Sequence, residues 1–173
     1  KHVIGPSETH YTQSTDRSVN APQIQGLVTF GHTHLLTFIG LDFVPATGAA
    51  FANGSNDAHG TFYDCRIGSR STTAPFTLST GIWTLSFYQS IIDTQGANLF
   101  SGTLPTGNHA LSIVDSFVSA AVVVTATGVG PGLTLRLESS RLELSPGSGV
   151  TAIESTNVTD NVVVKDCVIT VLD

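Results

Sequence analysis

Charge is scarce in this chain: Asp, Glu, Lys and Arg make up only 12% of its 173 residues, about half the usual share for a soluble domain. Gly, Ser and Thr are abundant instead, which favours strands and turns over solvated helices. Basic residues are scarcest. No Lys or Arg lies between Arg70 and Arg136, and the net charge is −6, so nucleic acid is not an expected partner, because binding it needs clustered cations. Long apolar runs are missing too. No stretch approaches the ~18 residues of a membrane span, and "KHVIGPSETH" lacks a signal peptide's apolar segment; no membrane contact is expected. Methionine is absent, the chain starts at Lys1 and it stops straight after a strand-like run. A processed product or a piece of something longer is therefore expected.

What the chain does have is repetition. The segments "LTFIGLDFVP", "GTFYDCRIGS", "LSFYQSIIDT", "LSIVDSFVSA", "LRLESSRLEL" and "VVVKDCVITV" align so that Phe38, Phe62, Phe87, Ile113, Leu137 and Val164 form one column. Their spacings are 24, 25, 26, 24 and 27 residues. Within each segment the inward parity switches once, which a single strand cannot do because its faces alternate strictly. Two short strands joined by a two-residue corner can. The second corner residue is Gly40, Asp64, Gln89, Asp115, Ser139 and Asp166 in turn, mostly types that tolerate a left-handed backbone or bond their own main chain. Two further inward columns follow: Leu41, Cys65, Ser90, Ser116, Ser140 and Cys167, then Phe43, Ile67, Ile92, Val118, Leu142 and Ile169.

Upstream of most corners lies a further β-rich run, such as "LVTF", "PFTLS" or "AVVVTA", set off by turns such as "NGSNDAHG" and "TGVGPG". Three strands and three turns per coil predict an all-β chain folded as a right-handed parallel β-helix, a solenoid of about six coils of 24–27 residues. Residues 27–173 are expected to form this domain, and the polar segment 1–26 an N-terminal arm or cap. A leucine-rich repeat would need an Asn ladder and usually a helical return, and a jelly roll would have no reason to repeat at this interval. Cys65 and Cys167 share a column four coils apart, roughly 19 Å at the normal strand spacing. That is too far for a disulfide.

"FYDCRI" and "VVKDCVI" are close to the "Ile-x-Asn-Cys-x-Ile" style corner of the pectin-lyase-like β-helix superfamily, which the chain resembles over roughly residues 27–172. That superfamily includes polysaccharide lyases, glycoside hydrolases, adhesins and phage tailspikes, so the resemblance implies a fold more than a function.

Candidate chemistry is thin. A glycosidase needs two carboxylates within ~5–10 Å, yet from Ser71 to Leu135 the only charged residues are Asp93 and Asp115. No catalytic residue is assigned. The best constellation is Asp57 and His59 with Asp42 or Asp64 one corner away, set against a plain polar turn. The cluster Arg136, Glu138, Arg141 and Glu143 reads as self-neutralised surface. In "GHTH", His32 and His34 point to one side of an extended strand; three such pairs about a trimer axis would supply six nitrogens for a transition metal, resembling His-x-His iron sites of some phage fibres, whereas two turn histidines commonly just face water. Tyr63, Trp83 and Tyr88 are candidate glycan-stacking aromatics, set against packing between coils.

A solenoid whose outside is so poor in charge is expected to be covered in part, most simply as a homotrimer or by docking on other proteins. The reading is a viral, bacteriophage structural protein located in the virion or outside the cell: a tailspike, fibre or capsid-decoration module, touching other virion proteins and host surface polysaccharide. The alternatives are a fragment of a polysaccharide lyase or glycoside hydrolase, and a bacterial adhesin segment.

Overall fold

Six corner residues decide the architecture. Asp64, Gln89, Asp115, Ser139 and Asp166 all have φ between 47° and 52°, and Gly40 has 63°. This left-handed conformation costs an ordinary L-residue roughly 1–2 kcal/mol. Here it recurs at the same point of every repeat, turning one strand into the next without a helix or a hairpin.

The computed structural model describes residues 2–4, 22–30, 35–45, 47–53, 57–68, 73–77, 81–100, 107–126, 132–147, 150–155 and 160–172. They form layers in chain order. An opening layer holds β1 (His2–Ile4) and β2 (Gln23–Ile24); the next holds β3 (Val28–Thr29), β4 (Leu35–Ile39) and β5 (Asp42–Phe43). Then come β6 (Phe51–Ala52), β7 (Ala58–Tyr63) and β8 (Arg66–Gly68), followed by β9 (Phe76–Thr77), β10 (Trp83–Tyr88) and β11 (Ile91–Asp93). Above these lie β12 (His109–Val114) and β13 (Phe117–Ala120), then β14 (Val124–Ala126), β15 (Leu133–Glu138) and β16 (Arg141–Leu144), and last β17 (Ile153–Ser155), β18 (Asn161–Lys165) and β19 (Val168–Val171). All paired strands run parallel. The fold is a parallel β-solenoid, with no helix among the described residues.

The coil count departs from six. The wall before the corner and the wall after it are each seven strands deep, since β1 and β2, from the segment expected to be an arm or cap, pair with β4 and β5. The third wall is thinner: β3, β6 and β9 pair, a single bridge reaches Phe100, and β14 pairs only with β17. Two or three residues per layer tolerate little displacement there. A turn at Thr94–Ala97, with Gln95 and Gly96 both at positive φ, shifts the chain just before that bridge.

Register follows the sequence columns. Phe62 is the Cα partner of Phe38 and of Phe87, and Ile113, Leu137 and Val164 continue the line. Ile67 likewise pairs with Phe43 and Ile92, leading to Val118, Leu142 and Ile169. The Phe62 ring lies stacked 5.0 Å from Phe38 and 4.8 Å from Phe87, and Phe51 stacks 4.8 Å from Phe76 on the opposite wall. At Gly60 a Cβ would come within 3.1 Å of the Phe62 ring and 3.4 Å of Phe30. The missing side chain is what lets these rings close over the strand.

The corner carries a second ladder, of side chains. The hydroxyls of Ser90, Ser116 and Ser140 each donate to the carbonyl two residues back, at 2.9, 2.7 and 2.7 Å. Each also accepts an amide from the layer before: Cys65 N to Ser90, Ser90 N to Ser116 and Ser116 N to Ser140, at 3.1–3.2 Å. Cys65 and Cys167 lie in the same column, and each donates its S–H to the carbonyl two residues back.

Two substitutions test this account by chemical denaturation. Phe62→Ala empties the centre of the ring stack and is expected to cost about 3–5 kcal/mol. Ser116→Ala strands the buried Ser90 amide and should cost about 1–3 kcal/mol, with Ser116→Cys milder because the column already holds thiols. An Ala variant as stable as the parent would show that the hydroxyl rungs are dispensable.

Candidate functional site

The turn before β7 places Asp57 at the start of the strand, and the corner places Asp64 at its end. The extended chain between them spans about 23 Å at the rise of a strand. Asp42 lies beyond the same corner one layer earlier, opposite Arg66. Asp57 and His59 therefore do not meet either carboxylate, and the hydrolase-like constellation does not assemble. Asp57 instead ties two layers together, its Oδ1 accepting the Ile82 amide of the next layer at 2.7 Å. Asp160 Oδ1 accepts the Leu133 amide of the preceding layer at 2.6 Å. Both carboxylates cap backbone donors where the long wall begins.

Asp42 and Asp64 are buried. Asp93 accepts the Gln95 amide at 3.0 Å, holding the turn that follows β11, and Asp115 is an exposed corner residue. Among the described residues, no group of three or more His, Cys, Asp or Glu could hold a metal ion. His32 and His34 lie outside the described residues.

The dense charge cluster resolves into two separate pairs. Arg136 bonds Glu138 on β15 at 2.5 Å, and Arg141 bonds Glu143 on β16 at 2.6 Å. Each pair lies two residues apart on one strand, where side chains share a face, so charge is neutralised within strands and not between them. The Glu138 hydrogen bond and charge raise the Arg136 guanidinium above its ordinary value. Exposed pairs of this kind contribute about 0–1 kcal/mol each.

The three candidate aromatics separate. Trp83 is wholly buried, its ring 4.8 Å from Phe100 and 4.9 Å from His109; an enclosed ring has no face for a sugar, so it belongs to the core. Tyr63 and Tyr88 do lie on the outer wall, stacked on each other at 4.9 Å with planes 14° apart. Their facing sides are closed by this stacking. The flanking positions in register are Ile39 and Val114, so the ladder offers ring edges and two phenols.

Around it the wall holds no Lys, Arg, Asp or Glu over four layers. Its central column is Thr37, Thr61, Ser86 and Ser112, its Tyr column runs from Ile39 to Val114, and its third is Leu35, His59, Thr84 and Ala110. Strand alternation made these outward positions legible once the register was set. Two features escaped sequence reasoning. The direction of the Ser hydrogen bonds is one. The other is His109, whose place two residues before inward Leu111 marked it as a core residue; it is buried and its Nδ1 accepts the Trp83 amide at 3.3 Å.

If Asp57 acts as a backbone cap, Asp57→Asn retains an acceptor oxygen and should leave the denaturation midpoint close to the parent's, whereas Asp57→Ala should lose about 1 kcal/mol. Equal loss in both variants would mean that the charge matters and the cap does not. No family model, no curated protein and no solved structure matches the chain; what its structure shows is a β-solenoid of stacked parallel coils.

Proposed function

We propose that the chain is a rigid structural module of a bacteriophage virion, a tailspike, fibre or capsid-decoration element, whose copies pack side by side as a homotrimer. The observation that carries this reading is the outer wall built by β4, β7, β10 and β12, four layers without a Lys, Arg, Asp or Glu. A free monomer normally keeps such a wall soluble with mixed charge. A continuous face of Thr, Ser, Tyr, His and aliphatic side chains suits contact with another protein surface, and closed symmetry lets every copy cover the same face.

Stiffness supports the display role. Three kinds of ladder run along the axis: backbone bonds in two deep sheets, Ser hydroxyls at the corner and stacked rings in the core. A rod of this kind holds several weak contacts at fixed spacing, which raises avidity without any one strong site. Host surface polysaccharide is the ligand class that suits such attachment, with the phenols of Tyr63 and Tyr88 as hydrogen-bonding groups in place of a stacking platform.

Light scattering after size exclusion tests the assembly. At micromolar concentration the expected mass is three times that of one chain, and Thr61→Arg on the uncharged wall should shift it toward the monomer without lowering the melting temperature. A parent protein that stays monomeric at every concentration would overturn the reading.

A further inference from the structure

At the start of the long wall, the amides of Ala58 and His109 follow one rule, whereas those of Trp83 and Leu133 end on side chains of the next layer. Ala58 N donates to Ile82 O at 2.9 Å, and His109 N donates to Gly132 O at 3.2 Å, each to the carbonyl just before its partner in the next layer. The layer between breaks the rule. Trp83 N donates to the imidazole Nδ1 of His109, so a titratable side chain stands where a carbonyl would be. Accepting at Nδ1 fixes the neutral ring with its proton on Nε2. His109 is 4% exposed, and the Trp83 ring beside it is fully enclosed with its Nε1–H unpartnered among the described residues.

We propose that His109 is an acid-sensitive rung: a proton taken up at Nδ1 removes the acceptor of the Trp83 amide, sets N–H against N–H, and loosens β10 from β12. Asp57 and Asp160 are the acids that cap Ile82 and Leu133 on either side, and a protonated carboxyl still keeps one acceptor oxygen. Their charge attracts an imidazolium, yet neither supplies an acceptor at Trp83. The inward side chains of the flanking strands, Leu85, Leu111, Leu133 and Leu135, and Phe100 on the third wall carry no titratable group. The connecting segments 101–106 and 127–131, "SGTLPT" and "TGVGP", contain none in their sequence.

The sign follows from proton counts. The unfolded chain protonates His109 near the ordinary ~6.5, while the folded rung resists, so the unfolded state binds more protons and stability falls with pH below that value. The test compares the parent with His109→Asn, whose Oδ1 can take the Nδ1 position and does not titrate. Between about pH 8 and about pH 5, the parent's unfolding constant should rise relative to the variant's by up to about tenfold per pH unit below ~6.5. The other histidines cancel in that ratio. Should the variant fail to fold, the parent alone decides: ring-nitrogen NMR of His109 should show proton uptake coinciding with lost exchange protection at the Trp83 amide and a change in emission of the single Trp. A pH-independent ratio, or a Trp83 amide that stays protected while His109 protonates, overturns the proposal.

Discussion

Everything in this solenoid depends on one residue per layer holding a left-handed backbone at the same place. A strand alternates its faces strictly, so a chain that continued straight through would turn its second hydrophobic column outward. The corner resets the parity. From Phe38 to Phe43, Phe62 to Ile67, Phe87 to Ile92 and Val164 to Ile169, the step from one inward column to the next is the same in each corner repeat, although the repeat length varies from 24 to 27. Insertions are absorbed in the turns and the third wall, and the corner is left untouched. A slip of one residue at any layer would invert its faces against both neighbours, so the identity of the αL residue matters less than its position: Gly, Asp, Gln and Ser all serve.

Given that corner, the core sorts itself by size along the axis. The early layers are packed with Phe30, Phe38, Phe43, Phe51, Phe62, Phe76, Phe87 and Phe100, while the later ones hold Ile113, Val118, Leu135, Leu137 and Leu142. Ring stacking at 4.8–5.0 Å matches the spacing of parallel strands, so a Phe in one layer favours a Phe at the same position in the next. The Tyr63–Tyr88 pair outside obeys the same geometry. Aromatic ladders here are consequences of register before they are candidates for binding, which is why the two tyrosines offer edges and hydroxyls instead of open ring faces.

The two main columns and all six corner residues could be read from the sequence because each is enforced by strict periodicity and strong sterics. Trp83 could not be placed by type, since tryptophan serves equally at a surface or in a core; only its register with Ala58 and its parity with Leu85 and Phe87 put it inside. The Asp57–His59 turn looked chemical because acids and a histidine fall close together in sequence. Extended strands turn such proximity into distance, and Asp64 ends up at the other end of β7. The third wall was the least legible, for its strands are two or three residues long and leave almost no pattern to read.

Burial itself is a property of neighbours in this fold. Val164 occupies the column whose members Phe62, Phe87, Ile113 and Leu137 are completely enclosed, yet it is 51% exposed, and Ile169 in the other main column is 42% exposed. Nothing in either side chain differs in kind from those below. Each layer of a solenoid gains from two interfaces, one on either side, and β18 and β19 meet described residues only on the side of β15 and β16. Among the described residues, Val164 thus lacks the second contact that encloses Leu137. An interior layer such as Phe62 to Ile67 can open only by breaking two interfaces at once. That difference in neighbours, and not any contrast in side-chain type, separates the exposure of Val164 from that of Phe62.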